Sequence, residues 1–205
     1  MTATEIMAAA PVATVIFLVT IGVSLWAFHR DPYLAERFML HPHAVAFEGK
    51  YYQLFTHGLV HADYMHLGFN MITFWYFGFV LERIVGSADF AIIYIGSLLI
   101  SGLVSTARKK HWEDYRSLGA SGAISGVLFA MVLYFPDMEL RIFFLLPLKG
   151  WLFAILFVGI SYYAGKQQYS RIDHEGHLFG ALAGAVLAIV LNPGVVGNFF
   201  SRLFG

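Results

Sequence analysis

Residues 119–130 read GASGAISGVLFA, and residues 173–188 read DHEGHLFGALAGAVLA. Small residues recur every four positions in both: Gly122, Gly126 and Ala130 in the first, Gly180, Gly184 and Ala188 in the second. Such spacing strips one face of a helix of bulk, and two such faces let membrane helices approach closely. Ser121 stands one residue ahead of the first face, and His177 lies three residues before Gly180 on the second. If the faces meet at one end, a hydroxyl and an imidazole come within reach of each other.

The surrounding chain supplies the membrane setting. Of 205 residues, 59% are apolar and 13% charged, whereas soluble domains run at roughly 45–50% and 25%. Mean hydropathy is +0.68. Uncharged runs at about 6–28, 65–81, 90–107, 120–135, 150–165 and 178–191 are far too long for barrel strands. In hydrocarbon a helix satisfies its own backbone, so the expectation is an all-α polytopic bundle of six transmembrane helices forming one domain over 1–205. The first run has no basic segment before it and exceeds a signal peptide's apolar stretch, so it reads as a retained span. Between His29 and Tyr64, aromatic and apolar residues interleave with Pro32 and Pro42, which fits a partly helical layer in the membrane interface.

Charge and cysteine usage exclude several functions. Lys+Arg and Asp+Glu balance at 13 each, which rules out a sequence-wide basic field for nucleic acid. With no cysteine, a disulfide framework, a thiolate nucleophile and a cysteine metal site are all excluded.

Polar side chains at membrane depth need a reason. His66 and Asn70 are four residues apart and share one helix face. Ser121 becomes a nucleophile only when a base takes its proton during attack, and an imidazole can return that proton to the leaving amine. Ser121 with His177 is therefore a sufficient engine for acyl transfer. Donors for the developing oxyanion would be the Ser121 N–H at a helix start, Asn70 and His66. Singly, each cluster has a plainer reading: a membrane serine bonding its own backbone, or an interfacial histidine. The three together favour catalysis.

These residues resemble the rhomboid family of intramembrane serine proteases. The motifs are His66-x-x-x-Asn70, Glu82-x-x-x-Gly86, Gly119-x-Ser121-Gly122 and His177-x-x-Gly180-x-x-x-Gly184, over roughly Tyr51 to Leu191. The resemblance implies a six-helix bundle with Ser121 as nucleophile, His177 as general base, and His66, Asn70 and the Ser121 amide as oxyanion hole. Glu82, Gly119, Gly122, Gly126, Gly180 and Gly184 would support the fold, with no cofactor or metal. It further implies transmembrane protein substrates entering laterally from the lipid bilayer, and residence in a bacterial inner membrane. Two positions depart from the pattern: Tyr52-Gln53 replaces a common tryptophan–arginine pair, and Ser125 stands where many members stack an aromatic on the catalytic ring. Lys and Arg number 9 in the first, third and fifth loops against 4 elsewhere. The positive-inside rule alone would place those loops in the cytoplasm, whereas the family's usual topology places them outside.

Two rival readings stand beside this one. His57, His61, His66, His174 and His177 could ligate a metal through neutral imidazoles. A catalytically inactive relative would bind transmembrane helices without cutting them. Glu82 reads as a partner of Arg83 or a cap on loop amides. Asp173 reads first as a helix cap and second as an orienting partner for His177.

Overall fold

The computed structural model describes residues 2–142, 146–165 and 173–205, so Lys166 and Arg171, the two cations of the fifth loop, lie outside the described residues. A reciprocal capping box between Thr2 and Glu5 starts a short helix, α1 (Ala3–Ala8). Pro11 then breaks the apolar run expected over 6–28. Its ring is tolerated only in a first turn, so α2 begins there and spans Pro11–His29.

Prolines set the next two starts as well, in α3 (Pro32–Phe38) and α4 (Pro42–Phe47). A single helical turn, α5 (Gln53–Thr56), runs into a 3₁₀ turn at His57–Leu59. Gln53 is buried, accepting from the His41 N–H at 3.1 Å and donating to the Arg37 carbonyl at 3.2 Å. A neutral amide thus ties the corner between α3 and α4.

Asp63 starts α6 (Tyr64–Val85) by accepting from the His66 N–H at 2.7 Å. Gly86, at φ +85°, ends that helix and admits α7 (Ser87–Lys109). Glu82 caps backbone amides, but those of a distant helix start and not of a neighbouring loop. Its carboxylate accepts from the Val12 N–H at 3.1 Å, the Ala13 N–H at 2.6 Å and the Ser87 hydroxyl at 2.6 Å. Those amides belong to the first turn of α2, where no carbonyl of the helix can reach them.

Next comes α8 (Ser121–Tyr134), and after a turn the chain departs from the all-α expectation. Strands β1 (Glu139–Ile142) and β2 (Leu146–Lys149) pair antiparallel, with Glu139 opposite Lys149. The antiparallel pair reverses the chain. It leads into α9 (Gly150–Gly165), α10 (His174–Leu191) and, past Pro193, α11 (Gly194–Phe204). Among the described residues, α2, α7 and α10 are long and apolar enough to cross a membrane, and α8 and α9 are shorter apolar helices.

At the centre, α8 is packed between α6, α7 and α10, with Ala123, Val127 and Ala130 fully buried. Backbone meets backbone where α8 crosses α10. A Cβ built on Gly180 would lie 2.9 Å from the Gly122 carbonyl carbon, and one on Gly126 would lie 2.9 Å from the Gly180 oxygen. From α7, the Ser101 and Ser97 side chains fill the space beside Gly122 and Gly126.

Gly184→Ala puts a Cβ against the Gly126 backbone, which cannot retreat without parting the helices. We expect it to destabilise the protein by about 1–3 kcal/mol, read as a lower thermal midpoint in detergent. Gly22→Ala, whose Cβ meets nothing within 4 Å, should leave the midpoint unchanged or raised. Equal midpoints for the two variants would contradict the close packing.

Candidate active site

Gly119, at φ +116°, turns the chain into α8, a backbone conformation that side chains rarely adopt. Its N–H donates to the His57 carbonyl at 2.9 Å. It also faces a ring: an added Cβ would lie 2.7 Å from Cε1 and 2.8 Å from Nε2 of His66. Ala120 is the N-cap of α8 and offers no side-chain acceptor, so the amides of the first turn, that of Ser121 among them, have no carbonyl within the helix.

At the matching end of α10, Asp173 is the N-cap and accepts from the Gly176 N–H at 3.0 Å. The His177 N–H donates to the Asp173 carbonyl at 2.9 Å, placing the imidazole one turn into the helix. Because the glycine faces of α8 and α10 touch in parallel, these two helix starts lie side by side. Ser121 Oγ sits 2.5 Å from His177 Nε2. Both residues are partly exposed at the end of an otherwise buried seam.

His66 and Asn70 approach on α6. The Ala62 N–H lies 3.5 Å from His66 Nδ1; an N–H can only donate, which makes Nδ1 the acceptor and leaves the ring proton on Nε2, beside Gly119. Asn70 is buried, and its Nδ2 gives one hydrogen to the His66 carbonyl at 2.9 Å. The second hydrogen of that amide remains available. Ser125, buried one turn after Ser121, offers no ring to stack on His177.

A residue that sequence reasoning left at the loop interface, or among possible metal ligands, proves central to this corner. His61 is 1% exposed. The Ala120 N–H donates to its Nε2 at 3.4 Å, which fixes the proton on Nδ1. Nδ1 then donates to the Ser24 hydroxyl at 3.0 Å, and Ser24 donates to the Leu59 carbonyl at 2.9 Å. This directed relay ties the residue before Ser121 to the middle of α2. Burial, reinforced by the neighbouring His66, lowers the His61 pKa to about 3, so the ring stays neutral and keeps its acceptor. The only sequence hint was its place five residues before His66.

Asp173 acts as the cap expected. Its other oxygen accepts from the Ser105 hydroxyl at 2.5 Å, and Lys109 Nζ lies 3.6 Å from the capping oxygen. Burial pushes this carboxyl's pKa up, but Lys109, Ser105 and the Gly176 N–H together hold it below the ordinary carboxylate value. Lys109 also lies 4.2 Å over the Tyr115 ring, and Arg108 pairs with Glu175 at 2.7 Å, so the ends of α7 and α10 are clamped. Among the described residues no three His, Asp or Glu side chains are gathered to hold an ion. The His61 and His66 rings meet edge to face at 5.0 Å, with both His61 nitrogens already engaged.

Comparison with known proteins follows the same residues. A family model described as the Rhomboid domain matches residues 48–194. The rhomboid protease GluP of Bacillus subtilis (strain 168) is 30% identical over 156 residues, covering 76% of this chain and 29% of that protein. Rhomboid protein 1, mitochondrial, of Saccharomyces cerevisiae is 28% identical over 140 residues, 66% of this chain and 40% of the relative. The putative rhomboid protease YdcA of Bacillus subtilis is 30% identical over 188 residues, 88% of both chains. The chain thus spans well under half the length of the first two relatives and most of the third.

The His61 relay has a pH signature. Unfolded, this imidazole binds a proton near its ordinary value of 6.5; folded, it does so only near 3. Its contribution is therefore complete above pH 6.5 and is lost as pH falls toward 3, at up to about 1.4 kcal/mol per pH unit. We expect thermal midpoints measured from pH 7 to 5 to fall more steeply for the wild type than for His61→Gln. Parallel curves would remove His61 from the account.

Proposed function

The chain belongs to the rhomboid family of intramembrane proteases, and from that membership we propose that it is itself an intramembrane serine endopeptidase working through Ser121 and His177. The observation that carries the reading is the 2.5 Å separation of the Ser121 hydroxyl and His177 Nε2. Neutral imidazole at that distance takes the hydroxyl proton as Oγ attacks the scissile carbonyl carbon. The carbonyl π electrons move to oxygen, and the oxyanion is received by the Ser121 N–H, His66 Nε2–H and the free hydrogen of Asn70. His177 then gives its proton to the departing amine nitrogen, leaving an ester on Oγ. Water, deprotonated by the same imidazole, attacks that ester and restores the hydroxyl.

A substrate helix hides its own peptide bonds, so the site must receive an unwound segment. Small or helix-breaking residues unwind at least expense, which makes transmembrane segments containing them the substrates proposed here. The setting proposed is six membrane spans, α2 and α6 to α10, with α3 to α5 as a helical layer at the interface. In a bacterial inner membrane the Ser121 end would open outward, the orientation usual for the family.

Ser121→Ala and His177→Ala are each expected to abolish cleavage of a reconstituted transmembrane substrate, read on gels. Asn70→Ala should lower kcat by roughly 10²–10³ with KM little changed. A fluorophosphonate probe should label the wild type and not Ser121→Ala. Full labelling of Ser121→Ala would sink the assignment of the nucleophile, and a wild type that takes no label would instead fit an inactive helix binder.

A further inference from the structure

The end of α8 remote from Ser121 carries an apolar groove that the proposed chemistry does not use. It encloses about 400 Å³. Its floor includes Phe129 of α8 and Ala185 of α10; Trp151 and Ile155 of α9 form one wall, and Phe200 and Phe204 of α11 form the other. Phe129 lies eight residues beyond Ser121, so at ~1.5 Å per residue the groove sits roughly 12 Å along α8 from the dyad.

The docking of α11 leaves this groove open on purpose-built walls. Asn198 Nδ2 donates to the Tyr134 carbonyl at 2.8 Å, and Arg202 pairs with Asp137 at 3.1 Å while lying 4.8 Å over the Phe135 ring. These contacts occupy the polar face of α11. Phe200 and Phe204 are left 55% and 81% exposed. Farther along the same two helices, Leu156 and Ile160 of α9 and Val186 and Val190 of α10 are exposed as well. On a chain integral to a membrane, such a surface faces lipid.

We propose that this groove binds one acyl chain of a phospholipid, with α11 lying in the membrane interface as its outer wall. Size selects the occupant. A helix is about 10 Å across, so 400 Å³ would hold only about one turn of it, whereas an unbranched hydrocarbon chain threads the same space at full length. The charges agree. Lys149 Nζ lies 3.2 Å from the Asp137 carbonyl and Arg202 lies 3.1 Å from its carboxylate. With Glu139 opposite Lys149 and paired with Arg141 at 3.5 Å, Arg141, Lys149 and Arg202 outnumber Asp137 and Glu139 by one, which leaves net positive charge close to Trp151 and α11, suited to a lipid phosphate. A chain seated there bridges α9, α8 and α11 through dispersion contacts, the main attraction available within hydrocarbon. The inference does not depend on Ser121 being a nucleophile.

The test reconstitutes the full chain into nanodiscs of phosphatidylethanolamine and phosphatidylglycerol doped with a phosphatidylglycerol bearing a diazirine on one acyl tail. After illumination, adducts are mapped by mass spectrometry. Peptides containing Trp151 to Ile155 and Phe199 to Phe204 should carry several-fold more adduct than the exposed face of α2 around Val15 and Val19. Ala185→Trp, which fills the floor, should remove that excess and leave labelling of α2 unchanged. Ala154→Trp fills the groove from the α9 wall instead and should behave alike, so the test survives failure of either variant to fold. Equal adduct density on α2, α9 and α11 would mean bulk lipid only and would overturn the proposal, as would an unaltered excess in a folded, groove-filled variant. Recovery of a cross-linked dimer through α11 in place of lipid adducts would overturn it in favour of a second copy.

Discussion

Everything at the candidate site depends on the absence of side chains between α8 and α10. With Gly122 and Gly126 against Gly180 and Gly184, the two backbones are in van der Waals contact, and their first turns are forced into register. Within a bilayer, apolar side chains gain little by leaving lipid for protein, so close backbone packing has to supply the association. The seam therefore performs two tasks with one set of residues. It holds the bundle together, and it delivers a hydroxyl from one helix start to an imidazole at the other with no loop conformation left to choose.

Around that seam, buried polar groups are satisfied chiefly by neutral partners or backbone. The Glu82 carboxylate meets two free amides of α2 and a hydroxyl. Gln53 bridges a backbone N–H and a carbonyl. His61 links Ala120 through Ser24 to Leu59. Linked end to end, these contacts connect the C-terminal end of α6 to the start of α2, the middle of α2 to His61, and His61 to the residue before Ser121. The first long helix, distant from Ser121 in sequence, thus orients the backbone that carries it. Leaving any such donor or acceptor unpaired in the interior costs about 1–3 kcal/mol, which gives each link a stabilising as well as a positional role.

What could be read from the chain divides along the range of the interaction. The glycine spacing, the pairing of His66 with Asn70 and the cap formed by Asp173 are properties of one turn of helix, and one turn is legible in a string of residues. Pro11, which shortens the first apolar run, is an equally local signal, yet the span expected over 6–28 runs through it unbroken. Glu82 and His61 were not legible, because their partners lie 69 and 59 residues away and nothing local selects them. The hairpin between α8 and α9 escaped for another reason: four-residue strands carry too little pattern to compete with their apolar surroundings. Gln53, read as a missing cation, shows that a buried corner needs a donor and an acceptor more than it needs a charge.

The scarcity of charge also bears on how the proposed pair, Ser121 and His177, could serve where soluble hydrolases commonly hold the base with an acid. Among the described residues no carboxylate hydrogen-bonds the His177 ring. Asp173, one turn earlier, directs its oxygens to Gly176, Ser105 and Lys109 instead. A permanent anion against the imidazole would have to be buried at the start of a membrane helix, where an ion without close compensation is expensive. Orientation of the ring can come from packing, because α10 is fixed to α8 by backbone contact and to α7 by the Asp173 and Glu175 clamps. In the mechanism proposed, a dyad would keep the resting site neutral, and charge would appear only with a substrate present, beside the first-turn amides of α8 and the side chains of His66 and Asn70.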